Sequence, residues 1–296
     1  MKEVIIAGGS GAIGQKLSKL LSNNGYKVLV LTRKNKSYTI KGIDYIPYPI
    51  TSFEMAELFE GKYAIINLAG HSVAGGRWTV KTKDLIYYSR KDTTAHLAEG
   101  INLSKNPPKH FISASATGYY GNRKDEKIDE NSSKGTGFLS DVCMVWEDEA
   151  KKSKTKNTII RIGVVLDKNS GALEKMIMPF KFFAGGPIGN GHQYMSWIDI
   201  DDLVATFLFV LDKELNGIFN ATAPNPVDMN TFAKTLGKVM GKPSIFRVPA
   251  FILQIMLGEA ASVVLDGVKV YPKNLIESGF KFQYEKLEDS FKHQLK

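Results

Sequence analysis

The sequence has one cysteine, Cys143, in 296 residues. No intrachain disulfide can form, and a reducing compartment is the natural setting. A long apolar run is also missing. The most apolar stretch, residues 250 to 265, is interrupted by Gln254, Gly258 and Glu259. It falls short of the ~20 apolar residues a membrane span needs and reads as a buried or partner-facing helix. The first residues are a strand and a glycine loop instead of the apolar core of a signal peptide, so the expectation is a cytoplasmic protein with no membrane partner. Arginine is scarce: six of the 39 basic residues. The net charge of +9 therefore comes from dispersed lysines, with no aromatic-interleaved basic segment. That excludes nucleic acid as the expected partner. The five histidines show no metal-ligand spacing. One last absence is local: no Asp or Glu lies between Tyr26 and Ile43.

What is present alternates. Residues 2–8 form a short apolar run ending in glycine. Residues 12–25 carry Ile13, Leu17, Leu20 and Leu21 at helical spacing and stop at Gly25. Further strands are expected at 27–33, 44–49, 63–70, 109–116 and 157–166. Helices are expected at 52–61 (with Ser52 as N-cap), 79–104 and 137–152. Continuous apolar strands between amphipathic helices mean an α/β fold with a doubly wound parallel sheet. After residue 167 the pattern loosens, so residues 1–167 are expected to form the main domain, with a strand contribution from about 217–220. Residues 168–296 are expected to form a smaller mixed lobe, with a cleft between the two for a small-molecule substrate.

Gly8, Gly11 and Gly14 sit three apart, directly after the first strand and at the start of the first helix. A strand, glycine loop and helix N-terminus together make an anion site suited to a pyrophosphate. Gly8 permits the turn, Gly11 lets phosphate approach the backbone, and Gly14 lets the helix pack on the sheet. An acid at the end of the second strand would read the ribose 2′-hydroxyl of NAD. That strand ends instead in Thr32, Arg33 and Lys34. A guanidinium there suits a 2′-phosphate, so NADP(H) is the expected cofactor.

The motifs "GGSGAIG", "VLTR", "NLAG", "SRKDTT", "SASATGYYG", "RIGVVL", "GGPIGNGHQYMSWIDIDDL" and "NATAPNPV" together resemble the atypical extended short-chain dehydrogenase/reductases of the YfcH type. These are sugar-nucleotide-epimerase-like proteins labelled as an epimerase family, with a C-terminal domain of unknown function. The resemblance covers nearly the whole chain. It implies a Rossmann domain in which Gly8, Ser10, Gly11, Ala12, Ile13 and Arg33 contact the cofactor. Asn67, Leu68, Ala69 and Gly70 would line its middle, with Ser113, Ser115 and Thr117 near the nicotinamide. It also implies an oxidoreductase or epimerase-like activity on a carbonyl or hydroxyl substrate. The glycine-rich loop carrying Arg77 would cover the active site, with His71 nearby. In related folds two copies pair through their long helices, here 79–104 and 137–152, so a homodimer is the form such pairing would take.

The expected catalytic pair is absent. Enzymes of this class use a tyrosine and, four residues later, a lysine on the helix after the "YYG" loop. That helix reads "GFLSDVCMVWEDEAKK", with Cys143 and Glu147, or Val142 and Trp146, at the two positions. Ser115 fits the serine that orients substrate. Three readings stay open. Tyr119, or the more structural Tyr120, supplies the phenol from the preceding loop. Cys143 and Glu147 move the proton; the simpler expectation for them is a buried thiol and a glutamate paired with Lys151. Or the protein binds NADP(H) without turnover, as a redox-responsive regulator. Arg161 is expected to be a buried orienting cation.

Overall fold

The alternation of Val4 and Ile6 with Ile5 and Ala7 sends side chains to both faces of the first strand, and all four are buried. Such a strand is stable only at the centre of a sheet covered on both sides. The computed structural model, which describes residues 1–296, places it there. In chain order the main elements are β1 (Glu3–Ala7), α1 (Ala12–Asn23), β2 (Lys27–Thr32), β3 (Tyr38–Ile40), β4 (Ile43–Pro47), α2 (Ser52–Phe59), β5 (Ala64–Asn67), α3 (Val80–Leu103) and β6 (His110–Ala116). There follow β7 (Lys127–Ile128), α4 (Phe138–Lys151), β8 (Lys156–Ile162), β9 (Val164–Asp167), α5 (Gly171–Lys181), β10 (Tyr194–Met195) and β11 (Trp197–Asp199). The chain continues with α6 (Ile200–Asp212), β12 (Gly217–Ala221), β13 (Val227–Asp228), α7 (Met229–Met240) and α8 (Ala250–Leu257), and closes with α9 (Ser262–Leu265), β14 (Lys269–Val270), α10 (Lys273–Glu277) and α11 (Leu287–Gln294).

The main sheet has eight strands in the order β12-β8-β6-β5-β1-β2-β4-β3. All neighbours are parallel except the β3–β4 hairpin at one edge. Helices α1 and α6 cover one face: Leu17, Leu21, Leu203 and Phe207 pack with Val4, Ile6 and Ile160. The other face carries α2, α3 and α4, through Met55, Phe59, Leu97 and Ala150 against Ile5, Phe111 and Ile159. This is the doubly wound Rossmann architecture. From β1 the chain runs outward to β2 and β4, then returns to β5 on β1's other side. In open sheets of this kind ligands bind at the carboxyl ends of the strands flanking that switch. Gly8 follows one of those ends and Leu68 the other.

Within residues 168–296, α6 and β12 join the main sheet, while α5, α7 and α11 gather around Trp197, Phe232 and Phe291 as a second core. The two regions meet where Trp78, Ile86 and Val142 pack with Ala260 and Leu257. The seam is closed by an ion pair between Lys83 and Glu259 and by Lys175 Nζ donating to the Ala74 carbonyl at 2.6 Å. The apolar run expected as one helix over 250–265 breaks at Gly258, and α8 has no buried residue. Phe251 is 60% and Ile255 69% exposed, while Ala260 and Ala261 are buried, so only the second half of the run meets the expectation of burial. No helix is long and apolar enough to cross a membrane. The cap of α2 is Thr51 and not Ser52: its hydroxyl accepts from Glu54 N while Glu54 returns a bond to the Thr51 backbone, a reciprocal arrangement Ser52 cannot make from inside the helix.

Candidate functional site

The turn after β1 explains its glycines one by one. Gly8 has φ +79°, and a Cβ there would meet the Leu68 carbonyl carbon at 2.6 Å. The loops after β1 and β5 are thus pressed together by a residue without a side chain. A Cβ on Gly14 would lie 2.4 Å from Gly9 Cα, so that glycine packs the helix on its own loop more than on the sheet. A Cβ on Gly11 would meet only the Gly8 carbonyl, at 3.5 Å, and Gly11 is exposed: its missing side chain leaves open space. Gly9, which the three-residue spacing passed over, is equally constrained, since a Cβ would strike Val30 at 2.8 Å. The doubled glycine of the sequence is the signal for it.

Gly11 is the N-cap of α1, and no side chain caps that helix or places an acid in its first turn. The N–H groups of Ala12, Ile13 and Gly14 have no intrahelical partner by construction, and the helix dipole adds positive potential there. By contrast α2, α3, α6 and α7 each have a side-chain cap. Ser10, Gly11, Ala12, Gly70 and His71 form an exposed rim, with Ile13, Leu68 and Ala69 half-buried inside it. Arg33, just past the end of β2, is exposed and its guanidinium pairs with no protein group, while Lys34 turns back over the Tyr38 ring. Open space, unpaired N–H groups and a free guanidinium fit a phosphorylated dinucleotide.

Two residues expected near the cofactor turn their side chains away. Asn67 is buried. Its amide donates to Thr94 Oγ1 at 2.8 Å and Ser113 Oγ at 3.3 Å, and its carbonyl accepts from Ala69 N. Asn67 and Ser113 therefore tie β5, β6 and α3 together beneath the rim and shape the site through the backbone.

At the carboxyl end of β6 a closed network replaces the usual catalytic pair. Ser115 Oγ donates to Glu147 Oε1 at 2.8 Å. Arg161 holds both carboxylate oxygens, Nε to Oε1 at 2.7 Å and Nη2 to Oε2 at 2.8 Å. Its third nitrogen, Nη1, donates to the Tyr120 hydroxyl at 2.9 Å, and that hydroxyl donates to Asn220 Oδ1 at 2.8 Å. Arg161 is 2% exposed and the Glu147 side chain 0%. Arg161 is the buried orienting cation its position suggested. The expected Glu147–Lys151 pair is secondary, at 4.0 Å with Lys151 half exposed, because a buried bidentate partner outcompetes an exposed lysine.

Cys143 and Glu147 both face Ser115, while Val142 points to Trp78 and Ile86. Of the two pairs, Cys143 and Glu147 are the one that reaches Ser115. Burial, reinforced by the Glu147 charge, pushes the Cys143 thiol up to about 11. Burial likewise pushes Tyr120 up to about 12, against the opposing pull of Arg161. Tyr119 differs. It is half-buried, its ring lies 3.5 Å from the Arg161 guanidinium carbon, and its hydroxyl bonds to no protein group. Thr117 is buried in the single helical turn joining Ser115 to Tyr119. Arg77 is exposed and lies against Gly258 of the C-terminal region.

Residues 4–138 match the NAD dependent epimerase/dehydratase family, and residues 248–294 match a domain of unknown function, DUF1731. The chloroplastic epimerase family protein SDR39U1 homolog of Arabidopsis thaliana is 39% identical over 98% of this chain and 85% of its own length. The chain belongs to this epimerase family. The epimerase family protein YfhF of Bacillus subtilis is 36% identical, covering 96% of this chain and 95% of its own. Among solved structures, human epimerase family protein SDR39U1 with NADPH superposes with a TM-score of 0.89 at 30% identity, over 98% of both chains. UDP-glucuronic acid 4-epimerase from Bacillus cereus, with UDP-glucuronic acid and NAD, superposes at 0.78 over 99% of this chain and 97% of that one, but at 17% identity. That likeness extends to the fold alone.

Proposed function

We propose that the protein binds NADP(H) in the cradle of residues 8–14, 68–70 and Arg33, and transfers hydride to or from a small carbonyl or hydroxyl substrate between the Rossmann domain and the C-terminal lobe. The observation that carries this is the unpaired Arg33 guanidinium at the end of β2, beside an uncapped helix N-terminus. Both are free to take an anion, and a 2′-phosphorylated dinucleotide has one for each. The human family member found with NADPH supports the choice of phosphorylated cofactor.

The bound nicotinamide supplies the hydride chemistry. Tyr119 supplies the proton, because Tyr120 is tied to Arg161 and Asn220 while the Tyr119 hydroxyl is free. The Arg161 guanidinium holds the Tyr119 ring in place through its face. Ser115 cannot donate to a substrate oxygen, since its proton is directed at Glu147. Buried beside Glu147, it acts on the site by positioning that carboxylate.

That engagement of Ser115 and Glu147 also favours a second reading, a regulator that binds NADP(H) without turnover. Single-turnover oxidation of bound NADPH against a panel of carbonyl compounds separates the two. Catalysis predicts oxidation by at least one class of carbonyl, abolished by Tyr119→Phe with NADPH affinity intact. If no carbonyl oxidises the bound cofactor, the regulator reading replaces the enzyme.

A further inference from the structure

Arg90, on α3, is held flat. A Cβ on Gly70 would lie 2.9 Å from its guanidinium carbon on one side, and the Trp146 ring centroid lies 4.9 Å away from that carbon. Its Nη1 donates to the carbonyls of His71 and Ile86, both at 3.0 Å. Nε and Nη2 donate to nothing, and no carboxylate pairs with the side chain. Desolvation opposes its charge. A half-buried, partly desolvated guanidinium usually has a carboxylate partner, and Arg90 has none.

Trp146 repeats the anomaly. It is buried, and its indole Nε1–H is a buried donor with no acceptor. Buried indole N–H groups ordinarily find a partner. A buried indole donor without an acceptor and a half-buried guanidinium edge without a protein acceptor therefore lie together on the α3–α4 seam, behind the Gly70–His71 rim. The local charge sharpens the point. Glu147 is neutralised by Arg161, so Arg90 leaves the site with one net positive charge.

We propose that Arg90 and Trp146 form an oxyanion pocket, and that its occupant is a carboxylate carried by the substrate. With both faces of the guanidinium covered, only the Nε–Nη2 edge can receive a ligand, and that edge matches a planar two-oxygen group. The inference rests on the hydride-transfer reading above and narrows its substrate to a carbonyl or hydroxyl acid.

Protein loaded with NADP⁺ is titrated with short 2-oxo acids, with their amides and with inorganic phosphate, followed by ligand-observed NMR. The acids are expected to bind at least tenfold more tightly than the amides. Arg90→Gln should erase that preference while leaving NADP⁺ affinity within about twofold. Arg90→Lys, which keeps the charge without the planar edge, should retain part of it, and Trp146→Phe should weaken acid binding several-fold. Equal binding of acids and amides overturns the proposal, as does an unchanged preference in Arg90→Gln. Selective binding of phosphate, or a parallel loss of NADP⁺ affinity in Arg90→Gln, assigns Arg90 to the cofactor and also overturns it. A wild-type protein that takes up no NADP⁺ is a separate observation and removes the underlying reading.

Discussion

In the loop of residues 8–14 the Gly11 N–H turns in to the Gly8 carbonyl, while the first N–H groups of α1 meet no side-chain cap. At the end of β6 the donors and acceptors of Ser115, Glu147, Arg161, Tyr120 and Asn220 close on one another. The first region leaves its donors to solvent and is open to a ligand. The second is satisfied within the protein, so its main effect is on the platform: it fixes the strand end and backs the Tyr119 ring. The two lie at the mouth of one sheet, yet removing a group from each should have opposite signatures, in binding for the first and in stability for the second.

The sharpest break is Arg161→Ala. It strands a fully buried carboxylate and removes the donor to the Tyr120 hydroxyl, and removing one partner of such a pair costs about 3–5 kcal/mol. Denaturant titration should show that loss. The double variant Arg161→Met with Glu147→Gln should recover much of it, because the stranded charge is gone. If the single variant is as stable as wild type, the closed network is not what holds the β6 end.

Gly8→Ala comes next. Its positive φ and the 2.6 Å approach to Leu68 predict a stability loss of about 1–3 kcal/mol, with loss of dinucleotide binding as the two loops separate. Retained NADP(H) affinity in a folded Gly8→Ala protein would break the cradle half of the comparison. The smallest effect is expected at Cys143. With its thiol at about 11, about one molecule in a thousand carries the thiolate at pH 8. Iodoacetamide should leave the folded protein unmodified there and label it after unfolding. Rapid labelling of the native protein at pH 8 would show a thiol that takes part in chemistry after all.

The cradle was legible because its determinants are local. Gly8, Gly11 and Gly14 lie between one strand and the helix that follows it, and Arg33 lies just past the adjacent strand, so spacing read in that context points to them. Gly9 escaped because its constraint comes from Val30, across the sheet. The β6 network was legible only in part. Arg161 betrays itself as a charge inside an apolar strand, but its partner Glu147 lies on another element, and the visible sequence neighbour was Lys151. Arg90 and Trp146 are 56 positions apart by their numbers, and nothing local marks two donors as unsatisfied. The break of the apolar run at Gly258 was readable from the glycine itself; the exposure of α8 was not, because hydrophobicity predicts burial and does not say what provides it.

The central claim is that the loop after β1 and Arg33 together hold a dinucleotide bearing a 2′-phosphate. Calorimetric titration of wild-type protein and Arg33→Ala with NADP(H) and NAD(H) tests it most directly. Charge-assisted contacts to one phosphate are worth about 1.5–3 kcal/mol, so wild type should prefer NADP(H) by about 10- to 100-fold. Arg33→Ala should lose that preference without loss of thermal stability. Equal affinity for the two cofactors, a preference for NAD(H), or no uptake of either would contradict it.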